Sequence, residues 1–153
     1  MVRMPPRFPR PEPDQRSLRM PPVPGITGAA VGPHDLDWLN RNLPEGARVT
    51  VTEVTSGFAV IGIMGPNARA LLARLTGADL SNQAFPFGTS QEIEIGFATV
   101  RATRITYVGE LGWELHHPMN RMPELYAAIC EAGAEYGIVD FGAYAVNSLR
   151  MEK

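Results

Sequence analysis

The chain has a single cysteine, Cys130, so no internal disulfide framework can hold it together. One unpaired thiol fits a reducing compartment. A net charge of −2 offers no electrostatic case for nucleic acid, which calls for a clustered basic surface. No apolar run approaches the ~20 residues of a membrane-spanning helix. No G-x-G-x-x-G opens a βαβ unit, and no internal repeat is evident. These absences point to a soluble intracellular protein that engages neither nucleic acid nor membrane.

What is present is ordinary in bulk. The 153 residues suffice for one domain with a sizeable core, and 44% hydrophobic with 20% charged residues is typical of globular chains. The distribution is uneven. Residues 1–33 hold most of the prolines and five arginines with little apolar clustering, which predicts a disordered extension or a leader. The prolines speak against the amphipathic helix of an organelle transit peptide.

From His34 the pattern becomes regular. DLDWLNRNL (35–43) predicts a short helix, with Asp35 and Asp37 as its caps. RVTVTEVT (48–55) and FAVIGIMG (58–65) read as a β-hairpin turning at Ser56-Gly57. GPNARALLARLTG (65–77) predicts a helix with Pro66 in its first turn and Gly77 after its end. Residues 78–88 read as a loop. SQEIEIG (90–96), FATVRATRITYVG (97–109) and WELHHP (113–118) read as strands. RMPELYAAICEAGAEYG (121–137) and FGAYAVNSLRMEK (141–153) read as helices. The order ββα–βββ–α predicts a two-layer α+β sandwich of ferredoxin-like type. The last residues are in helical phase without a stop signal, so the chain reads as a fragment.

One stretch carries chemistry. ITYVGELGWELHHP (105–118) sets Glu110 and Glu114 among apolar and aromatic residues, each near a glycine. Glu110 follows Gly109 and should project from a turn, shielded by Tyr107 and Trp113. A carboxylate so placed matches a planar ligand edge with two adjacent N–H donors, as pterin and guanine have. The competing reading is a surface hairpin whose acids pair with Arg101 or Arg104. Spacing alone favours the latter. His116-His117 lacks a third ligand nearby, and adjacent strand residues face opposite ways, so a surface reading displaces a metal site. Cys130 reads as a buried apolar residue, and Ser148 as a packing residue without a base to activate it.

The segments 53–76, 79–89, 104–118 and 141–153, with Y-x-G-E-x-G-x-E and G-x-x-A-x-x-S-L-R-x-E-K, resemble the tetrahydrofolate-binding aminomethyltransferase family. That family includes the glycine cleavage T-protein. The similarity is closest to the folate-binding region of dimethylglycine and sarcosine dehydrogenases and oxidases. It implies an aminomethyltransferase-like domain over 34–153, incomplete at its C-terminal helix, with tetrahydrofolate as cofactor. Glu110 would accept from the pterin, Tyr107 would line its pocket, and Arg150 would reach it from the last helix. Glu114 would play a supporting role, as would Glu152. The family's reacting-nitrogen aspartate lies in a first lobe that residues 1–33 do not resemble. FAD would belong only to a missing N-terminal domain of the dehydrogenase type.

The resemblance therefore implies part of a one-carbon enzyme moving a methylene group from an amine to tetrahydrofolate. The chain alone is not expected to be catalytically complete. Missing lobes or self-association would supply its partners, in the cytoplasm or, in a eukaryote, the mitochondrial matrix. The alternative is a non-catalytic folate-binding or interaction module of the same fold. A relative serving iron–sulfur assembly would carry K-G-C-Y-x-G-Q-E, whereas this chain reads TRITYVGELGWE, which disfavours that branch.

Overall fold

Four segments in which apolar residues recur at every second position build one antiparallel sheet in the computed structural model. It describes residues 25–28 and 30–152. The strands are β1 (Phe58–Met64), β2 (Ser90–Ile95), β3 (Ala98–Thr103) and β4 (Gly112–Pro118), in the order β1-β4-β3-β2. The register pairs Ile61 with Leu115, Ile63 with Trp113, Ala102 with Leu115, and Ile93 with Val100. Side chains alternate across a strand, so these residues share one face.

That face is covered by helices. The other helical elements are α1 (Gly32–Asn42), α2 (Ala68–Leu72), α3 (Met122–Gly133) and α4 (Ala143–Leu149). Ala68, Leu71 and Leu72 of α2 and Leu125 and Ile129 of α3 join the sheet residues in one core. Trp113, Phe85, Leu72, Leu115 and Val100 are fully buried there, each such side chain stabilising the fold by roughly 1.5–3 kcal/mol. The result is a two-layer α+β sandwich, as the patterning predicts.

The chain groups into two compact units divided between Val51 and Thr52; the sheet, α2, α3 and α4 belong to the second. In the first, α1 has Val31 as its N-cap and no side-chain cap. Asp35 instead accepts from the Thr27 hydroxyl, and Asp37 pairs with Arg41 one turn on at 3.0 Å. The expected caps therefore act as side-chain partners. The expected extension over 1–33 lies mostly outside the described residues.

Other boundaries also move. Residues 48–54 form no strand, and Val49 and Val54 are more than half exposed. Period-2 patterning needs a ladder to become a strand, and β1 takes β4 as its partner. The second helix is only five residues long, followed by turns through Leu75, and Gly77 does not adopt a left-handed conformation. The last helix closes at Leu149, with Arg150 as its C-cap, so it does not run to the chain end. The strand predicted over 97–109 stops at Thr103, six residues early. There the Ile105 N–H turns back to the Thr103 carbonyl at 3.0 Å, closing a three-residue turn that ends the ladder.

Candidate functional site

The early stop of β3 makes the site. Residues 104–111 leave the sheet as a loop and return at Gly112, with Gly109 at φ +78° in the left-handed region that glycine adopts without strain. Tyr107 and Glu110 lie on this loop. Its return is fixed by the Gly65 N–H, which donates to the Leu111 carbonyl at 2.8 Å. Gly112 then lies tight against β1: a Cβ there would stand 2.9 Å from the Ile63 carbonyl oxygen and 3.3 Å from the Met64 Cα. The glycine that follows Glu110 and Leu111 thus permits close strand approach.

Tyr107 is 53% exposed and meets Arg150. The guanidinium donates from Nη1 to the phenolic oxygen at 2.6 Å, and its carbon lies 5.3 Å from the ring centroid. Two of the residues implicated by sequence are thereby joined. Glu110 is half-buried on the same loop, three positions from Tyr107. Glu114 lies elsewhere, on β4, on the sheet face away from the core. Its Oε2 is 3.5 Å from His116 Nε2, and the His116 side chain is only 12% exposed.

Trp113 does not shield Glu110. It points into the core, where Phe85 meets it edge-on at 6.1 Å and 79°. Arg69 and Arg104 approach its ring at 5.9 and 5.6 Å. Both guanidiniums have further anchors, Asn82 Oδ1 for Arg69 and the Phe85 carbonyl for Arg104, each at 2.6 Å. Arg104 is therefore spent on the core, and Arg101 pairs with Glu92 at 2.7 Å. Phe85 is fully buried, whereas Phe87 is largely exposed.

The histidines face opposite ways, yet neither is a surface residue. His117 is fully buried on the core face, with Nδ1 3.1 Å from the Pro118 carbonyl oxygen. Alternation along β4 was the signal: Trp113 and Leu115 on the core face carry His117 with them. Cys130 is half-buried rather than buried, and Ser148 donates to the Tyr144 carbonyl. No group of three or more metal-binding side chains exists among the described residues. None of the described helices is long and apolar enough to cross a membrane.

The fold and this loop together define an α+β lobe of the aminomethyltransferase type. The chain belongs to the GCVT N-terminal domain family, whose model matches residues 25–153. It is 45% identical over 129 residues to the mitochondrial dimethylglycine dehydrogenase of Mus musculus, covering 84% of this chain and 15% of that protein. Against the mitochondrial sarcosine dehydrogenase of Mus musculus it is 39% identical over 127 residues, covering 82% and 14%. The chain thus spans about a seventh of these relatives. Among solved structures it is similar to the heterotetrameric sarcosine oxidase from Corynebacterium sp. U-96, determined in complex with pyrrole 2-carboxylate. That match has a TM-score of 0.60 and 21% identity, covers 72% of this chain and 54% of that one, and speaks for the fold alone.

Proposed function

We propose that this chain is the folate-recognising portion of a one-carbon enzyme that takes a methylene group from a methylated glycine, or from glycine, onto tetrahydrofolate. The observation that carries the reading is the Tyr107–Arg150 contact. Two residues separated by 43 positions, each in a segment resembling the folate-binding family, converge beside the loop that bears Glu110. The donor set suits the ligand. A carboxylate accepts from the paired N–H donors of a pterin edge, tyrosine offers an aromatic wall, and arginine offers a guanidinium to an anionic tail.

Glu110 is assigned to this recognition, with Glu114 in a supporting role. Glu110 sits on the loop that bears Tyr107, while Glu114 is held on β4 with its carboxylate 3.5 Å from His116 Nε2. When bound, the folate supplies the nitrogen that captures the carbon. The residues here orient the ring. An FAD of the dehydrogenase type would occupy another domain.

Titration of the chain with tetrahydrofolate tests the assignment, using Glu110→Gln and Glu114→Gln. Loss of a charge-assisted pair worth roughly 1.5–3 kcal/mol predicts binding weakened by about tenfold or more. Unchanged affinity in either variant removes that glutamate from the site. No saturable binding by the unaltered chain removes the proposal itself.

A further inference from the structure

Two guanidiniums gather at one indole ring without a carboxylate to pair with. Arg41, Arg74, Arg101 and Arg121 each form an ion pair with an acidic side chain. Arg69 and Arg104 form none among the described residues. Their guanidinium carbons nevertheless lie 5.9 and 5.6 Å from the Trp113 ring centroid. Anchors three positions apart on one loop, the Asn82 side chain and the Phe85 carbonyl, hold them there. Both anchors are neutral, so neither offsets a charge, and each occupies a single terminal nitrogen. The other, Nη1 of Arg69 and Nη2 of Arg104, has no hydrogen bond among the described residues and is not buried. Further in, Arg69 Nε, Arg104 Nε and Trp113 Nε1 are buried without a hydrogen-bond partner. Buried polar groups are nearly always paired, so unpaired donors that share one neighbourhood call for an explanation.

We propose that Arg69 and Arg104 form a binding site for a small oxyanion, a carboxylate or a phosphate, held by their outward nitrogens. An oxyanion only accepts, and it meets planar guanidinium forks through charge-assisted hydrogen bonds. It also relieves the repulsion between two like charges kept at one ring. Both arginines are half-buried, where a charge is felt more strongly than in open water. Their side chains are already fixed by the indole and the loop, so little ordering remains to oppose binding. Asn82 suits the purpose. Its amide oxygen holds Arg69 in place without cancelling the charge, as an aspartate there would. The inference does not depend on the folate reading, which uses neither arginine.

Calorimetric titration of the full chain with inorganic phosphate and with glutarate, at an ionic strength held constant with chloride, tests the proposal. Saturable binding of at least one is expected, and the tighter of the two identifies the class of oxyanion the site takes. Arg69→Gln should weaken that binding about tenfold or more, through loss of a charge-assisted contact. Arg104 braces the core, so Asn82→Asp serves as the second variant. It lies at an exposed loop position, keeps an oxygen for Arg69 and supplies a built-in carboxylate. Binding should fall by a similar factor with the fold intact. Arg101→Gln, at an arginine already paired with Glu92, should leave binding unchanged. Heats that never saturate for either oxyanion overturn the proposal. So does saturable binding that survives Arg69→Gln or Asn82→Asp.

Discussion

Arg150, at the C-terminal cap of α4, donates to the Tyr107 hydroxyl at 2.6 Å and brings its guanidinium carbon within 5.3 Å of the ring centroid. α4 contributes no fully buried residue, and this contact ties its C-terminal end to the loop leaving β3. Order at the candidate site is thereby coupled to order in the helix.

Arg150→Ala should loosen α4 without disturbing the sheet. An exposed cation–π contact of roughly 0.5–1 kcal/mol translates into amide exchange about two- to fivefold faster. The effect is expected at 143–149 and on the loop at 104–111, with β4 and α3 unchanged. Hydrogen exchange read by mass spectrometry would decide this. Uniform acceleration through the sheet would mean that Arg150 supports the whole lobe.

Gly112→Ala should destabilise the lobe by roughly 1–3 kcal/mol, because the new Cβ meets backbone atoms of β1 that cannot swing aside. Gly57→Ala is the matched control: nothing lies within 4 Å of its added Cβ. Urea unfolding of both variants would show the contrast. A Gly112→Ala variant as stable as Gly57→Ala would mean that the β1–β4 spacing yields readily.

Trp113→Ala should cost roughly 3–5 kcal/mol, the usual range for truncating a buried tryptophan. Any loss of folate binding in this variant should follow the loss of folded protein. Trp113→Phe retains an aromatic ring in the core but a weaker face for Arg69 and Arg104, and should cost less. Thermal unfolding beside folate titration would separate stability from recognition. A folded Trp113→Phe variant that cannot bind would return the tryptophan to the site.

What the sequence made legible was periodicity, and what it hid was contact. The core face follows from alternation, Ile93 and Ile95 on β2, Val100 and Ala102 on β3, Trp113 and Leu115 on β4. At helical spacing, α2 follows from Ala68, Leu71 and Leu72 and α3 from Leu125 and Ile129. Residues 48–54 carry the same alternation without becoming a strand, because no pattern states which neighbour completes a ladder. Tyr107, Glu110 and Arg150 were visible through their motif surroundings, and the structure joins Tyr107 to Arg150. Trp113 was misplaced because its neighbours in sequence lie on a loop while its side chain obeys β4. Its arginine partners come from α2 and from the residue just after β3, a convergence that no local spacing announces.

The Tyr126 hydroxyl donates to Asp140 Oδ2 at 2.5 Å, which holds the phenol above its ordinary value of 10.0; Cys130 adds to the effect. A group whose pKa is raised on folding contributes stability fully present below its unfolded value. That contribution is lost as pH rises through the folded value. It should therefore be intact at neutral pH and fade only in strong alkali. Tyr126 is expected to ionise above its ordinary range, as tyrosinate absorbance compared between the chain and Tyr126→Phe would show. Asp140→Asn should bring its titration back toward the ordinary range; no movement would mean that Asp140 is not the cause.

The 153-residue chain by itself should bind folate weakly and turn over nothing. Tyr107 is more than half exposed and Arg150 is exposed, so water reaches the groups that would hold the ring. Recognition survives such exposure in reduced form, since a charged pair still selects its partner. Catalysis depends on holding the reacting carbon near the folate nitrogen, a positioning worth roughly 7–11 kcal/mol. A lobe open to solvent cannot supply it, and a carboxylate with a guanidinium does not compensate. The measurement is formation of methylene-tetrahydrofolate from formaldehyde or from an amine donor, set beside the uncatalysed rate. Turnover clearly above that rate would show that these residues suffice. Binding without turnover, abolished in a Glu110→Gln Glu114→Gln double variant, is the expected outcome.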